Sequence, residues 1–190
     1  MSVRLIRSLV SFVIFLFFSV KVLAAPSCHS FLKYSASEFE FKSSQDLHAN
    51  IEAFYGGEMV GHIKFDFESE SNTLTVQYVK VDFEFRRNDL SKHLLKAALD
   101  QHPQTLFIKG ELADKNLELY NLAKIQIAGG QRWPTYEDSL RAVKLTPFYL
   151  IRRAMGFSQI IHFEEDHYSV KLHLAKDSVT TDQELVNTPQ

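Results

Sequence analysis

From Thr73 to Phe85 apolar and polar residues alternate, Thr-Leu-Thr-Val-Gln-Tyr-Val-Lys-Val-Asp-Phe-Glu-Phe, and at Leu90 the period changes. Leu90, Leu94, Leu95, Ala98 and Leu99 then follow at the spacing of one helix face, and Pro103 stops the run after His102. Asn88 or Asp89 can cap that helix. A long strand that enters a helix across a short turn commits the chain to a sheet with helices packed on it.

The flanking segments extend the pattern. Residues 38–42 alternate and predict a strand. Ile51–Tyr55 and Met59–Phe67 are β-rich runs around Gly56-Gly57, a hairpin signal. Thr105–Gly110 predicts a short strand, and 116–127 a helix closed by Gly129-Gly130. Residues 128–146, with Trp133-Pro134 and an amphipathic stretch around Asp138, have the character of an insertion. Pro147 suits the first turn of a helix ending at Gly156, and 158–163 with 168–174 predict a closing hairpin. The expected fold class is α/β: a mixed, mostly antiparallel central sheet flanked by helices.

At the N-terminus Arg4 and Arg7 precede the apolar run Leu9–Val20, followed by the small residues Ala24 and Ala25. These are the parts of a secretory signal, and the run is shorter than the roughly 20 residues that span a bilayer. The expected organisation is a signal peptide at 1–24, a linker at 25–37, a domain at 38–175 with the insertion at 128–146, and a flexible tail at 176–190. A retained membrane anchor is the alternative for the first segment. The 190 residues carry 21 Lys+Arg against 23 Asp+Glu, a formal charge of −2, which cleavage after Ala24 lowers to −5 by removing Arg4, Arg7 and Lys21. An acidic chain has no net electrostatic reason to bind nucleic acid, and none is expected as a partner. The single cysteine, Cys28, excludes an internal disulfide; it reads as a free thiol, with acylation after a signal as the alternative.

Three stretches, Glu58-Met-Val-Gly-His-Ile63, Val81-Asp-Phe-Glu-Phe-Arg-Arg-Asn-Asp-Leu-Ser-Lys-His-Leu-Leu95 and Ile151-Arg-Arg-Ala-Met-Gly-Phe157, occur in an order and spacing that resembles the GNAT superfamily of acyl-CoA N-acyltransferases. The resemblance covers roughly residues 48–174. It implies acetyl-CoA, or another acyl-CoA, as cofactor, an amine as acceptor, and no metal. The family's Arg/Gln-x-x-Gly-x-Gly/Ala turn aligns with Arg86-Arg87-Asn88-Asp89-Leu90-Ser91, so Asp89 stands where a glycine is usual. The implied cofactor residues are Val79, Val81, Arg86, Arg87, Asn88, Ser91, Lys92 and Asn116; for Asn116 the reading as a helix cap is the favoured one. The family's tyrosine before Gly-Phe aligns with Arg152, leaving Tyr149 and Tyr120 as the candidate acids. Where the family commonly has two helices between its first strands, this chain has only residues 43–48, and 128–146 are expected to wall the acceptor site instead.

The resemblance implies an exported acetyl-CoA-dependent N-acyltransferase, periplasmic or secreted. The alternative is a catalytically inactive GNAT-like binding domain of the cell envelope or extracellular space, and another mixed sheet, such as a cystatin-like one, is the alternative fold. Membrane contact is expected only through the signal segment. Glu52, Glu84 and Glu111 are candidate general bases if they line the cleft. Trp133 with Tyr136 is a candidate acceptor platform. His162, Glu164, Glu165, Asp166 and His167 include metal-ligand types but read as an ordinary charged turn.

Overall fold

A computed structural model of the chain describes residues 34–45, 49–130, 132–166 and 168–179. The expected signal segment, Cys28, the linker to residue 33, His167 and the tail from residue 180 lie outside the described residues.

The elements are β1 (Glu40–Gln45), β2 (Ala49–Tyr55), β3 (Glu58–Glu68), β4 (Thr73–Val81), α1 (Leu90–Gln101), β5 (Phe107–Leu112), α2 (Asp114–Ile127), α3 (Tyr136–Val143), α4 (Pro147–Arg153), β6 (Gln159–Glu165) and β7 (Val170–Ala175). The strands form one sheet in the order β1-β2-β3-β4-β5-β7-β6. Every neighbouring pair is antiparallel except β4 and β5, which run parallel and are joined over the sheet by α1. The fold is therefore the expected mixed, mostly antiparallel sheet flanked by helices. Gly56 and Gly57 take φ of 60° and 88° between β2 and β3, the positive values that a tight hairpin turn asks of both central residues.

Strand register assigns the two faces. Ile51, Ile63, Phe65, Leu74, Val76, Ile108, Leu112, Leu172 and Leu174 share one face and are buried. The described helices pack on that face: Leu90 against Gly61, Phe148 and Arg152 against Gly110, and Tyr120 and Ser139 against Glu165. Leu94, Leu95 and Ala98 of α1 complete the core, as the helical spacing predicts. The opposite face carries Glu52, His62, Lys64, Tyr78, Lys80, Lys109, Lys171 and His173.

The boundaries differ from expectation where local alternation imitates a strand. β4 ends at Val81, and Phe83–Phe85 is a 3-10 turn. Phe83 is 81 % exposed, while Phe85 packs with Tyr34, Phe39 and Tyr55 at centroid distances of 5.0, 6.0 and 5.3 Å. The tail is also less free than expected at its start. Lys176 N–H donates to the Leu106 carbonyl (2.8 Å), Asp177 N–H to that of Gly156 (2.8 Å), and the Asp177 carboxylate accepts from the Ser158 N–H (2.9 Å).

Two predictions follow from the packing. A methyl group on Gly110 would stand 2.9 Å from Phe148 Cζ and 3.3 Å from Arg152 Nη2, so Gly110→Ala should cost about 1–3 kcal/mol in urea unfolding. His173 lies on the open face with Nε2 buried and without a partner among the described residues; burial, then Lys109 and His162, pull its pKa down to about 4. Between the ordinary 6.5 and that value the unfolded chain binds a proton that the fold refuses, so stability falls as pH drops through this window. Allowing for solvent screening, His173→Phe should remove about 1 kcal/mol of that acid sensitivity in unfolding curves compared at pH 7 and pH 4.5.

Candidate functional site

The parallel strands β4 and β5 pair only from Thr73↔Phe107 to Val76↔Gly110. Directly after Val76 the β3–β4 register shifts, Phe65 facing Val76 and Lys64 facing Tyr78, which leaves Gln77 as a bulge. A bulge bends and twists its strand, and here it turns β4 away from β5. Beyond it β4 continues to Val81 on β3 alone, and β5 to Leu112 on β7 alone, so a V-shaped opening separates them. Asp82 N–H donates to the Val60 carbonyl at 2.9 Å. Alternation along an antiparallel strand then turns the N–H and C=O of Val81 and Val79 away from β3, toward the opening.

At the end of this edge the chain turns into α1. Phe85 in its aromatic cluster and buried Asn88 hold the turn. The Asn88 amide donates to the carbonyls of Phe85 (3.1 Å) and Arg86 (3.4 Å), and its Oδ1 accepts from Tyr34 N–H (3.3 Å). Arg86 Nε donates to the Val81 carbonyl (3.1 Å), and its guanidinium lies 5.7 Å from the Phe83 ring centroid. Arg87 and Asp89 take φ of 69° and 54°, the left-handed region that favours glycine. Asp89 is the N-cap without a side-chain capping bond; its carbonyl accepts from Lys92 and His93 N–H at 2.9 and 3.0 Å. Leu90 and Ser91 N–H have no acceptor among the described residues. Two unbonded amides, the helix dipole, and Arg86, Arg87 and Lys92 form a positive turn with one carboxylate, Asp89, inside it.

The remaining sequence candidates lie elsewhere. Tyr149 is buried on α4 and its hydroxyl donates to the Ser158 carbonyl (2.8 Å), tying the helix to the start of β6. Tyr120 is fully buried and donates to Glu165 Oε2 (2.7 Å). Burial raises both phenol pKa values, so each holds its proton more tightly than a free tyrosine. Asn116 lies inside the first turn of α2, whose N-cap is Ala113, and so caps nothing. Glu111 follows Gly110 on the open face opposite Lys171, and Glu52 stands opposite His62. His162 and Glu164 are exposed, and Asp166 accepts the Tyr168 and Ser169 N–H groups, both at 2.7 Å. Among the described residues no group of three or more such side chains gathers to hold a metal.

Three features bring together residues that the sequence did not connect. His62 Nε2 is hydrogen-bonded to the Tyr78 hydroxyl on the open face, and Tyr78 belongs to the free half of β4. Burial, then Lys80 and Lys64, lower the His62 pKa, leaving a neutral imidazole at pH 7. Arg152 is 4 % exposed, its guanidinium carbon 3.3 Å from the Phe148 ring centroid. Its signal in the sequence was a charge at a core position of α4, four residues after Phe148. Finally, a cavity of about 550 Å3 is lined by Lys124, Trp133, Tyr136, Phe163 and Glu165 among others, with α3 of the expected insertion as one wall. Trp133 there is 92 % exposed. Partial burial would raise the Glu165 pKa, but hydrogen bonds from Lys124 and Tyr120 outweigh it and hold the carboxyl below its usual range.

Comparison with known proteins gives a likeness in structure alone. No protein-family profile and no curated protein matches the chain. Among solved structures, it is similar to the ribosomal-protein-S18-alanine N-acetyltransferase of Escherichia coli at 12 % identity and a TM-score of 0.44, over 74 % of this chain and 77 % of that one. It is also similar to nourseothricin acetyltransferase, at 13 % identity and 0.44 over 73 % and 84 %. A third is the diaminobutyrate acetyltransferase of Paenibacillus lautus, in complex with L-2,4-diaminobutyric acid and coenzyme A, at 13 % identity and 0.43 over 69 % and 72 %.

Tyr120→Phe deprives Glu165 of one donor and should cost about 1 kcal/mol. It should also move the acid unfolding limb to higher pH. The carboxyl's lowered pKa stabilises the fold above the unfolded value, and that stability is lost as pH falls through the folded one. Urea titrations at pH 7 and pH 4 check both.

Proposed function

We propose that the chain is an acyl-CoA-dependent N-acyltransferase, exported by its N-terminal segment. The observation that carries this reading is the opening between β4 and β5, edged by the free backbone groups of Val79 and the free N–H of Val81 and ended by the positive turn into α1. The long polar arm of an acyl-CoA fits an exposed strand edge, and its diphosphate fits a helix N-terminus with basic neighbours. Val79 and Val81 would hold the amides of that arm. Leu90 and Ser91 N–H with Arg86, Arg87 and Lys92 would hold the diphosphate. The cofactor supplies an acyl group activated as a thioester. The chain's own part is to fix that group beside an amine and to take the amine's proton, a role for which His62, neutral and oriented by Tyr78, is suited.

Asp89 favours a second reading, a domain that binds ligands in the same opening without catalysis. Its carboxylate opposes a diphosphate, and the phenols of Tyr149 and Tyr120 are already hydrogen-bonded to protein acceptors.

Calorimetric titration with acetyl-CoA separates the readings. Saturable binding is expected, weakened about tenfold or more in Arg86→Ala/Arg87→Ala. Asp89→Gly relieves a left-handed residue and removes the opposing charge, so it should tighten binding by about three- to tenfold. His62→Gln should lower turnover with amines while leaving acetyl-CoA affinity unchanged. A folded chain that ignores acetyl-CoA at millimolar concentration overturns the enzyme reading.

A further inference from the structure

Arg152 is a buried cation that the fold does not answer. Its Nη1 donates to the Phe148 carbonyl of its own helix (2.9 Å), yet among the described residues Nε and Nη2 have no acceptor and no carboxylate pairs with the guanidinium. Burial lowers its pKa, but a guanidinium still carries its proton at neutral pH. An unpaired charge in an apolar setting opposes folding, and an apolar side chain of similar shape would be the more stable choice at this position. The place it occupies suggests what it is for. Nη2 lies 3.3 Å from the point where a Gly110 Cβ would stand, and Gly110 is the last β5 residue paired with β4. Nη2 is thus at the throat of the opening, on the helix-covered side.

We propose that Arg152 anchors a carboxylate carried by the ligand that enters between β4 and β5. Nε–H and Nη2–H form one edge of the planar guanidinium and match the two oxygens of a carboxylate side-on. The inference deepens the acyltransferase reading and rests on it only for the ligand's source. The carboxylate belongs either to an acyl-CoA whose acyl group ends in one, or to an amine acceptor that is an α-amino acid.

The test uses the full-length chain. One arm compares succinyl-CoA with acetyl-CoA by calorimetry. The other, with CoA present, compares pooled L-α-amino acids with pooled α-amino-acid amides by thermal shift. In one arm the carboxylate-bearing member should bind about tenfold tighter or more. That preference should vanish in Arg152→Met and shrink in Arg152→Lys, which keeps the charge but not the paired donors. The unliganded Tm of Arg152→Met should be equal to or above that of the native chain. Equal affinity for both members of both pairs, or a preference that survives Arg152→Met, overturns the inference; if Arg152→Met does not fold, the native pairs and Arg152→Lys still decide it. A chain that ignores both CoA esters yet prefers amino acids to amides through Arg152 keeps this inference and overturns the acyl-CoA reading.

Discussion

The short parallel ladder between β4 and β5 is the constraint on which the rest of this structure depends. It runs from Thr73 to Val76 and from Phe107 to Gly110, and it ends where Gln77 bulges out of the β3–β4 register. Longer pairing would have left no backbone edge exposed between β4 and β5. Shorter pairing would have left the β1–β4 and β5–β7 halves joined through α1 alone. The bulge places the division after enough residues to unite the halves and early enough to leave Val79 and Val81 facing an opening.

Around that division the fold accepts several local costs. Arg87 and Asp89 hold left-handed backbone without being glycine, and Arg152 is buried without a counter-charge. All three lie in the strand-to-helix turn or at the throat, whereas the core of Ile63, Phe65, Leu74, Ile108 and Leu174 is apolar throughout. Left-handed backbone recurs at Asn72 and Asp114, in other turns of the fold, whereas the unpaired buried guanidinium is found at the throat.

Much of the fold was legible in the sequence because it is written in short-range chemistry. The Gly56-Gly57 hairpin, α1 from Leu90 to its stop before Pro103, and Pro147 at the start of α4 all depend on neighbours within a few residues. Asp82-Phe-Glu-Phe85 misled because alternation records which residues are apolar and not what covers them; Phe85 is covered by Tyr34, Phe39 and Tyr55, from distant parts of the chain. Tyr149 and Tyr120 stood out as titratable side chains on helices, but their acceptors, Ser158 and Glu165, are reached only through the packing of α4 and α2 on the sheet.

The sequence by itself therefore determined the succession of strands and helices and the apolar face that each buries, since period and turn chemistry are local properties. It also placed Arg86, Arg87 and Asp89 at the entry to α1. Tertiary structure alone decided that β4 parts from β5 after Val76, that Gly110 and Arg152 meet at the parting, and that His62 is bonded to Tyr78. Those relations join residues distant in the chain through sheet register and helix packing, and a register is fixed only when the whole sheet is assembled.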